Sequence, residues 1–224
     1  MKALRGKIVL VTGASKGIAA TFAAAGACVV VNYRQDEAGA ADVVSDIRTL
    51  GSEGVAVQAD ISREADVARL FETAQAHFGA PDIVVNNASL FHHGAFSALS
   101  LADSHFPARG GCIINLSALD SQQSTPGSVL WAATKGAIDT LTQGLARELR
   151  PRNIRVNALA PGMILTEGLL AAKKLSPQLK AQLLAAAPLG RFGLPEDVAQ
   201  IELFLASDDA VYVSGERVLI SDGA

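Results

Sequence analysis

Short apolar runs alternate with longer amphipathic segments along most of the chain. The runs are rich in valine, isoleucine and leucine, as in strands buried on both faces of a parallel sheet. Strands that alternate with helices indicate βαβ units. The pattern therefore predicts an α/β protein, a doubly wound parallel sheet in one domain over residues 1–224. The predicted strands are residues 7–12, 28–32, 55–59, 83–85, 112–116, 154–159 and 217–221.

The segments between these runs carry apolar residues at helical spacing. Val43, Val44 and Ile47 share one face of a helix that ends at Gly51. Ser62 is expected to cap the next helix. Later helices are predicted over residues 131–150, 169–186 and 195–206. In the first of these, the residues expected to face the core are Ile138, Leu141, Leu145 and Leu149.

Composition narrows the function classes. At 224 residues with 50% hydrophobic and 18% charged positions, the chain can bury a core and is not disordered in character. No apolar run reaches the roughly 18 residues of a membrane span, and the start, MKALRGKIVLVTG, does not resemble a signal peptide. A net charge of −3 gives no support for a nucleic-acid partner. Cys28 and Cys112 lack metal-ligand spacing, so we expect reduced thiols and no metal site. With the short apolar runs, this leads us to expect a cytoplasmic location without membrane contact.

A glycine-containing turn, T-G-A-S-K-G-I over residues 12–18, lies between the first strand and the first helix. In that position glycines let the backbone turn tightly and approach a pyrophosphate, while the helix N-terminus offers free N–H groups. The motif therefore predicts a Rossmann-type dinucleotide site.

The end of the second strand indicates which dinucleotide is preferred. The strand runs into N-Y-R and so ends in Arg34, without the carboxylate that would bind an adenosine ribose diol. Arg34, with Lys16 nearby, suits a 2′-phosphate. We therefore expect NADP(H) to be preferred over NAD(H), the alternative for Arg34 being a solvated surface charge.

Several further motifs accompany the glycine turn: NNA at 86–88, IINLS at 113–117, WAATKGA at 131–137, IRVNALAPG at 154–162 and RFGLPEDVA at 191–199. With these motifs, the chain resembles the short-chain dehydrogenase/reductase family over nearly its full length. VVVNYR at 29–34 is similar to bacterial carbonyl reductases and β-ketoacyl carrier-protein reductases of that family. The resemblance implies a small carbonyl or alcohol substrate and a homodimer or homotetramer.

The resemblance also implies a set of cofactor-binding positions. They form a phosphate and ribose turn, an adenine pair, two residues along the cofactor, a lysine on the nicotinamide ribose, and a group at the nicotinamide. In that order they are Gly13, Ser15, Lys16, Gly17 and Ile18; Asp60 and Ile61; Asn87 and Ala88; Lys135; and Pro161, Gly162 and Thr166.

The catalytic positions depart from the family pattern. In the family a tyrosine hydroxyl exchanges a proton with the substrate oxygen, a lysine four residues later lowers the tyrosine's pKa, and a serine steadies that oxygen. Here Trp131 stands at the tyrosine position, and an indole does not ionise in the useful range. Lys135 is kept, but Ala118 stands at the serine position with Ser117 beside it. The catalytic candidates are therefore Lys135, Trp131 and Ser117.

Two segments are shorter than the resemblance implies. The first helix, which should end near Gly26, lacks about four residues, close to one turn. Between Asn87 and Cys112, where the family places a full helix with a relay asparagine, there is room for a short helix near residues 97–106. Three hypotheses stay open: an NADP(H)-dependent carbonyl or alcohol oxidoreductase, an NADP-binding sensor or partner subunit without turnover, and a decayed copy that folds poorly.

Overall fold

The computed structural model describes residues 3–14, 18–87, 105–166 and 177–223. Its centre is a seven-stranded sheet of order β3-β2-β1-β4-β5-β6-β7, in which every neighbouring pair is parallel. The doubly wound α/β prediction is therefore confirmed. The strands are β1 Ile8–Val11, β2 Cys28–Tyr33, β3 Gly54–Gln58, β4 Ile83–Asn86, β5 Gly111–Leu116, β6 Ile154–Pro161 and β7 Arg217–Ile220.

Helices cover both faces of the sheet. They are α1 Ile18–Ala24, α2 Glu37–Thr49, α3 Glu64–His77, α4 Val129–Glu148, α5 Pro177–Ala186 and α6 Pro195–Ala206. The helix predicted over 195–206 is confirmed at both ends. For the helix predicted over 169–186, α5 confirms residues 177–186, and residues 169–176 lie outside the described residues. The short helix predicted near 97–106 lies almost entirely outside the described residues. No helix in the described ranges is both long and apolar enough to cross a membrane.

Strand residues alternate between two hydrophobic cores, one on each face. On one face Val9, Val11 and Val29 pack with buried residues of α1, α2 and α6. On the other, Leu10 and Val30 pack with residues of α3 and the end of α4. Burial on both faces explains why the strands read as continuous apolar runs without polar alternation.

One local prediction is wrong, and a second is right only in part. Arg63, not Ser62, is the N-cap residue of α3, and the Ser62 hydroxyl donates instead to Asp60 Oδ1 at 2.7 Å. Of the four residues predicted to face the core from α4, Leu149, directly after the helix, is buried and Leu145 packs against the core, whereas Ile138 and Leu141 are half-buried. The most deeply buried side of that helix carries Ala132, Lys135 and Thr142, because the two polar side chains find partners inside the protein.

Candidate cofactor and active site

The carboxyl ends of the parallel strands bring the predicted site residues to one edge of the sheet. The strand order reverses between β1 and β4, and in open α/β sheets ligands bind in the crevice at such a switch point. Gly13 follows β1, Asn87 follows β4 and Gly162 follows β6, so all three reach this edge. A larger cavity of about 830 Å³ lies at the opposite edge, near Asp82 and Ile154, and is separate from this site.

Two asparagines fix the turn after β1. Gly13 has φ 60°, a left-handed conformation that favours glycine, and its N–H donates to Asn32 Oδ1 at 3.3 Å. From the other side, Asn87 Nδ2 donates to the carbonyls of Thr12 and Gly13, both at 3.0 Å. The turn is therefore held by side chains from two neighbouring strands. Ile18 begins α1, whereas Ser15, Lys16, Gly17 and Ala88 lie outside the described residues.

Asn32 is a site residue that the sequence reasoning missed. Its side chain is buried, and Nδ2 donates to the carbonyls of Val57 and Ala59 at 3.2 and 3.1 Å while Oδ1 accepts from Gly13. One amide thus joins the ends of β1, β2 and β3. The available signal was a polar residue ending the apolar run VVVN, since a buried amide must find hydrogen-bond partners.

The predicted adenosine end is a shallow, mixed-charge cavity of about 360 Å³. It is lined by Arg34, Arg63 and Asp60, and Arg34 Nη1 lies 3.9 Å from Asp60 Oδ2. Hydrogen bonds from the Ser62 hydroxyl and N–H, then the nearby arginine charges, hold the pKa of Asp60 below its usual value. Ile61 packs on the core beneath α3. Arg34 therefore lies beside the predicted adenine residues. Arg63 lines the same cavity, although the sequence did not predict it.

The predicted nicotinamide-ribose lysine lies deep at the same edge. Lys135 is only 6% exposed, and its Nζ donates to the Leu116 carbonyl, at the end of β5, at 2.7 Å. Burial lowers the pKa of Lys135 to about 8, although the charge of Asp139, one helical turn later, acts to raise it. An ammonium has three N–H donors, and the described residues accept one, so donors remain for ribose hydroxyls.

The ring over this lysine is an indole. Trp131 is half-buried, with its ring centroid 4.6 Å from Lys135 Nζ, which is cation–π distance. Ala118 is buried in extended backbone directly after Ser117. The Ser117 hydroxyl donates to the Lys135 carbonyl at 3.3 Å and is 5% exposed. The structure thus brings together the three catalytic candidates, but the Ser117 hydroxyl is turned toward the α4 backbone.

The loop after β6 completes the edge. Pro161 ends the strand, and the Gly162 N–H donates to the Ile220 carbonyl of β7 at 2.9 Å. A Cβ at Gly162 would lie 3.3 Å from the Ser221 Cβ, so glycine permits this close approach. Thr166 is exposed at the end of the described loop. Within the described ranges, no group of three or more His, Cys, Asp or Glu side chains could hold a metal ion.

Fold and site together define a dinucleotide-binding oxidoreductase class, and comparison with known proteins gives the family. Residues 7–108 match the family model for short chain dehydrogenase, and residues 92–224 match the model described as Enoyl-(Acyl carrier protein) reductase. The chain therefore belongs to the short-chain dehydrogenase/reductase family, an NAD(P)-dependent oxidoreductase family.

The relatives match over nearly their whole length. An uncharacterized oxidoreductase of Methylorubrum extorquens is 40% identical, covering 100% of this chain and 99% of its own. A 3-oxoacyl-(acyl-carrier-protein) reductase of Staphylococcus aureus is 35% identical, covering 97% of each. A 7α-hydroxysteroid dehydrogenase solved with NADH and 7-oxo glycochenodeoxycholic acid has a TM-score of 0.91 at 32% identity, covering 100% of this chain and 96% of its own.

The comparison also bears on the short segments. The alignment with the Methylorubrum relative spans 247 positions and contains this whole 224-residue chain, so about 23 positions have no residue here. The size of that difference agrees with the two short segments noted in the sequence, about four residues in the first helix and most of a helix before Cys112.

Proposed function

We propose that this protein binds NADP(H) in preference to NAD(H) and transfers hydride to or from a small carbonyl or alcohol substrate at a rate limited by the lack of a phenolic acid. The observation that carries the proposal is the pair at the active centre. Lys135 of α4 is buried and donates to the Leu116 carbonyl at the end of β5, while the ring above its ammonium is that of Trp131.

The phosphate and adenosine end fits a 2′-phosphorylated dinucleotide. The turn at Gly13 is held by Asn32 and Asn87, so a pyrophosphate would meet a fixed backbone rather than ordering a loose one. Arg34 and Arg63 line the cavity beside Asp60 and offer guanidinium donors. These residues would hold the adenosine phosphate.

At the nicotinamide end, the cofactor when bound would supply the hydride acceptor or donor. The residues of this chain would do the rest: Lys135 would donate to the ribose hydroxyls, and Gly162 would let the backbone approach the ring closely. Trp131 can donate a hydrogen bond through its indole N–H but cannot deliver that proton to an alkoxide. Ser117 would have to leave the Lys135 carbonyl to reach a substrate.

The second candidate is a catalytically impaired NADP-binding protein that acts as a sensor or partner subunit. Trp131 above Lys135, with Ala118 at the expected serine position, favours it. Under either function we expect a cytoplasmic homodimer or homotetramer. Phe204 of α6 and Leu219 of β7 are 45% and 43% exposed, which suits a contact between copies.

The cofactor preference can be measured through Trp131, the only tryptophan in the chain. Bound NADPH or NADH should quench its emission by energy transfer. We expect Arg34→Ala to weaken NADPH binding by about tenfold or more, the scale of a charge-assisted hydrogen bond, and to change NADH binding little.

Arg48→Ala, which removes another exposed arginine, from α2, is the matched control and should leave both affinities unchanged. Equal binding of NADPH and NADH by the unmodified protein would refute the cofactor preference. Absence of binding by either would refute both candidate functions.

A further inference from the structure

Arg217, at the start of β7, reaches across the sheet edge into the active centre. Its side chain is 14% exposed, and Nε donates to Ser121 Oγ at 3.1 Å. Its Nη2 donates to the carbonyls of Ala118 and Leu119 at 3.2 and 3.4 Å. One guanidinium therefore holds three groups of the loop after β5, including the residue at the expected catalytic serine position.

The same guanidinium faces a buried carboxylate. Arg217 Nε lies 3.1 Å from Asp139 Oδ2, and the Asp139 side chain is 12% exposed. Neither carboxylate oxygen accepts a hydrogen bond from a described residue, so the contact is an ion pair without hydrogen-bond alignment. A carboxylate buried in this way depends on its counter-charge, because the penalty of desolvation is otherwise uncompensated.

Asp139 also acts on the lysine of the active centre. Lys135 and Asp139 lie at i and i+4 of α4, on one side of the helix. Asp139 is the charged group that favours protonation of Lys135 and so works against burial in setting the pKa of that lysine. Asp120, on the neighbouring loop, instead accepts from the Ser128 hydroxyl at 3.4 Å.

We propose that Arg217 is a positioning residue of the active centre: it fixes the loop that carries Ala118 and, by partly neutralising Asp139, sets how strongly Lys135 holds its proton. Lys135, Asp139 and Arg217 then form one buried row of alternating charge. The coupling itself requires no cofactor, whereas its consequence for cofactor binding rests on the proposed function.

The indole above Lys135 supplies the readout. Because the ammonium lies against the only tryptophan, a pH titration of Trp131 emission in the cofactor-free protein should follow the ionisation of Lys135, with a midpoint near the pKa of about 8. Lys135→Met should abolish the transition and so identify it.

Opposite shifts are expected from the two partners. Asp139→Asn removes the charge that favours the ammonium, so the midpoint should fall. Arg217→Gln leaves Asp139 unneutralised and removes a nearby cation, so the midpoint should rise. The double variant should behave like Asp139→Asn, because Arg217 acts largely through Asp139. Arg147→Gln, an equal charge change at an exposed position of the same helix, should leave the midpoint unchanged.

If Arg217 only stabilised the fold, replacing it would lower the stability of the protein, and the midpoints would not move in opposite directions. Midpoints that stay at the unmodified value, or that move the same way in both variants, would overturn the proposal. If Arg217→Gln does not fold, Arg217→Met, which keeps an unbranched side chain but removes the charge, decides: a midpoint above the unmodified value supports charge coupling, and a midpoint at or below that value overturns it. The same samples titrated with NADPH separate the two claims, since opposite shifts without any NADPH binding would refute the proposed function alone.

Discussion

Trp131→Tyr is expected to raise the rate of NADPH oxidation with a carbonyl substrate by about 100-fold or more, the usual contribution of a general acid. Lys135 lies 4.6 Å from the ring centroid at this position, so a phenol there would have an ammonium beside it to lower its pKa. Adding Ala118→Ser should raise the rate further by restoring a donor to the substrate oxygen. The two gains need not multiply, because such residues act as a unit.

The measurement is the initial rate of NADPH loss with a panel of small aldehydes and ketones, at NADPH concentrations that saturate the site. Trp131→Phe is the matched control, since it makes the same space without a hydroxyl, and it should give no gain. An equal gain in Trp131→Phe would mean that the indole blocks the site rather than lacking an acid. No gain in Trp131→Tyr, with NADPH still bound, would place the defect elsewhere.

Glu202→Gln is expected to stabilise the protein above about pH 5 and to remove a steep loss of stability toward alkaline pH. Glu202 is fully buried in α6, and neither carboxylate oxygen has a hydrogen-bond partner among the described residues. Burial raises the pKa of Glu202 from 4.5 to about 8. Below pH 4.5 both folded and unfolded states hold the proton, so no penalty arises.

As the pH rises above 4.5, the unfolded state releases this proton while the folded state keeps it, so stability falls until the folded pKa is passed. At pH 7 the loss amounts to about 3 kcal/mol. Denaturant unfolding at pH 5, 7 and 8 should therefore show a stability gain for Glu202→Gln that grows with pH. Glu196→Gln, on the exposed side of the same helix, should run parallel to the unmodified protein. Parallel curves for Glu202→Gln as well would show that Glu202 is not held protonated.

The sequence predicted the sheet better than it predicted the helix faces. Strands buried on both sides give continuous apolar runs, and all seven predicted strands overlap the observed ones. In α4, by contrast, the apolar stripe at Ile138, Leu141 and Leu145 is only half-buried, while Lys135 and Thr142 are buried. Periodicity shows which residues share a face but not which polar side chains find a partner inside.

At the site, motif positions could be predicted, but long-range polar contacts could not. The resemblance placed Gly13, Asn87 and Lys135, and the structure brings them to one edge of the sheet. The contact between Arg217 and Asp139 joins residues that lie far apart in the chain, and no local pattern marks it. The role of Asn32 could have been predicted, because it is a polar residue at the end of an apolar run.

The proposed function combines an NADP(H) site with the absence of the acid that would make turnover fast. The most direct test is to titrate the unmodified protein with NADPH, following the quenching of Trp131 emission, and then to add the carbonyl panel to the saturated sample and follow NADPH loss. We predict saturable quenching, stronger with NADPH than with NADH, followed by turnover at least about 100-fold below the typical 10 s⁻¹ of enzymes. Turnover at an ordinary rate would refute the proposed impairment and would mean that another group supplies the proton.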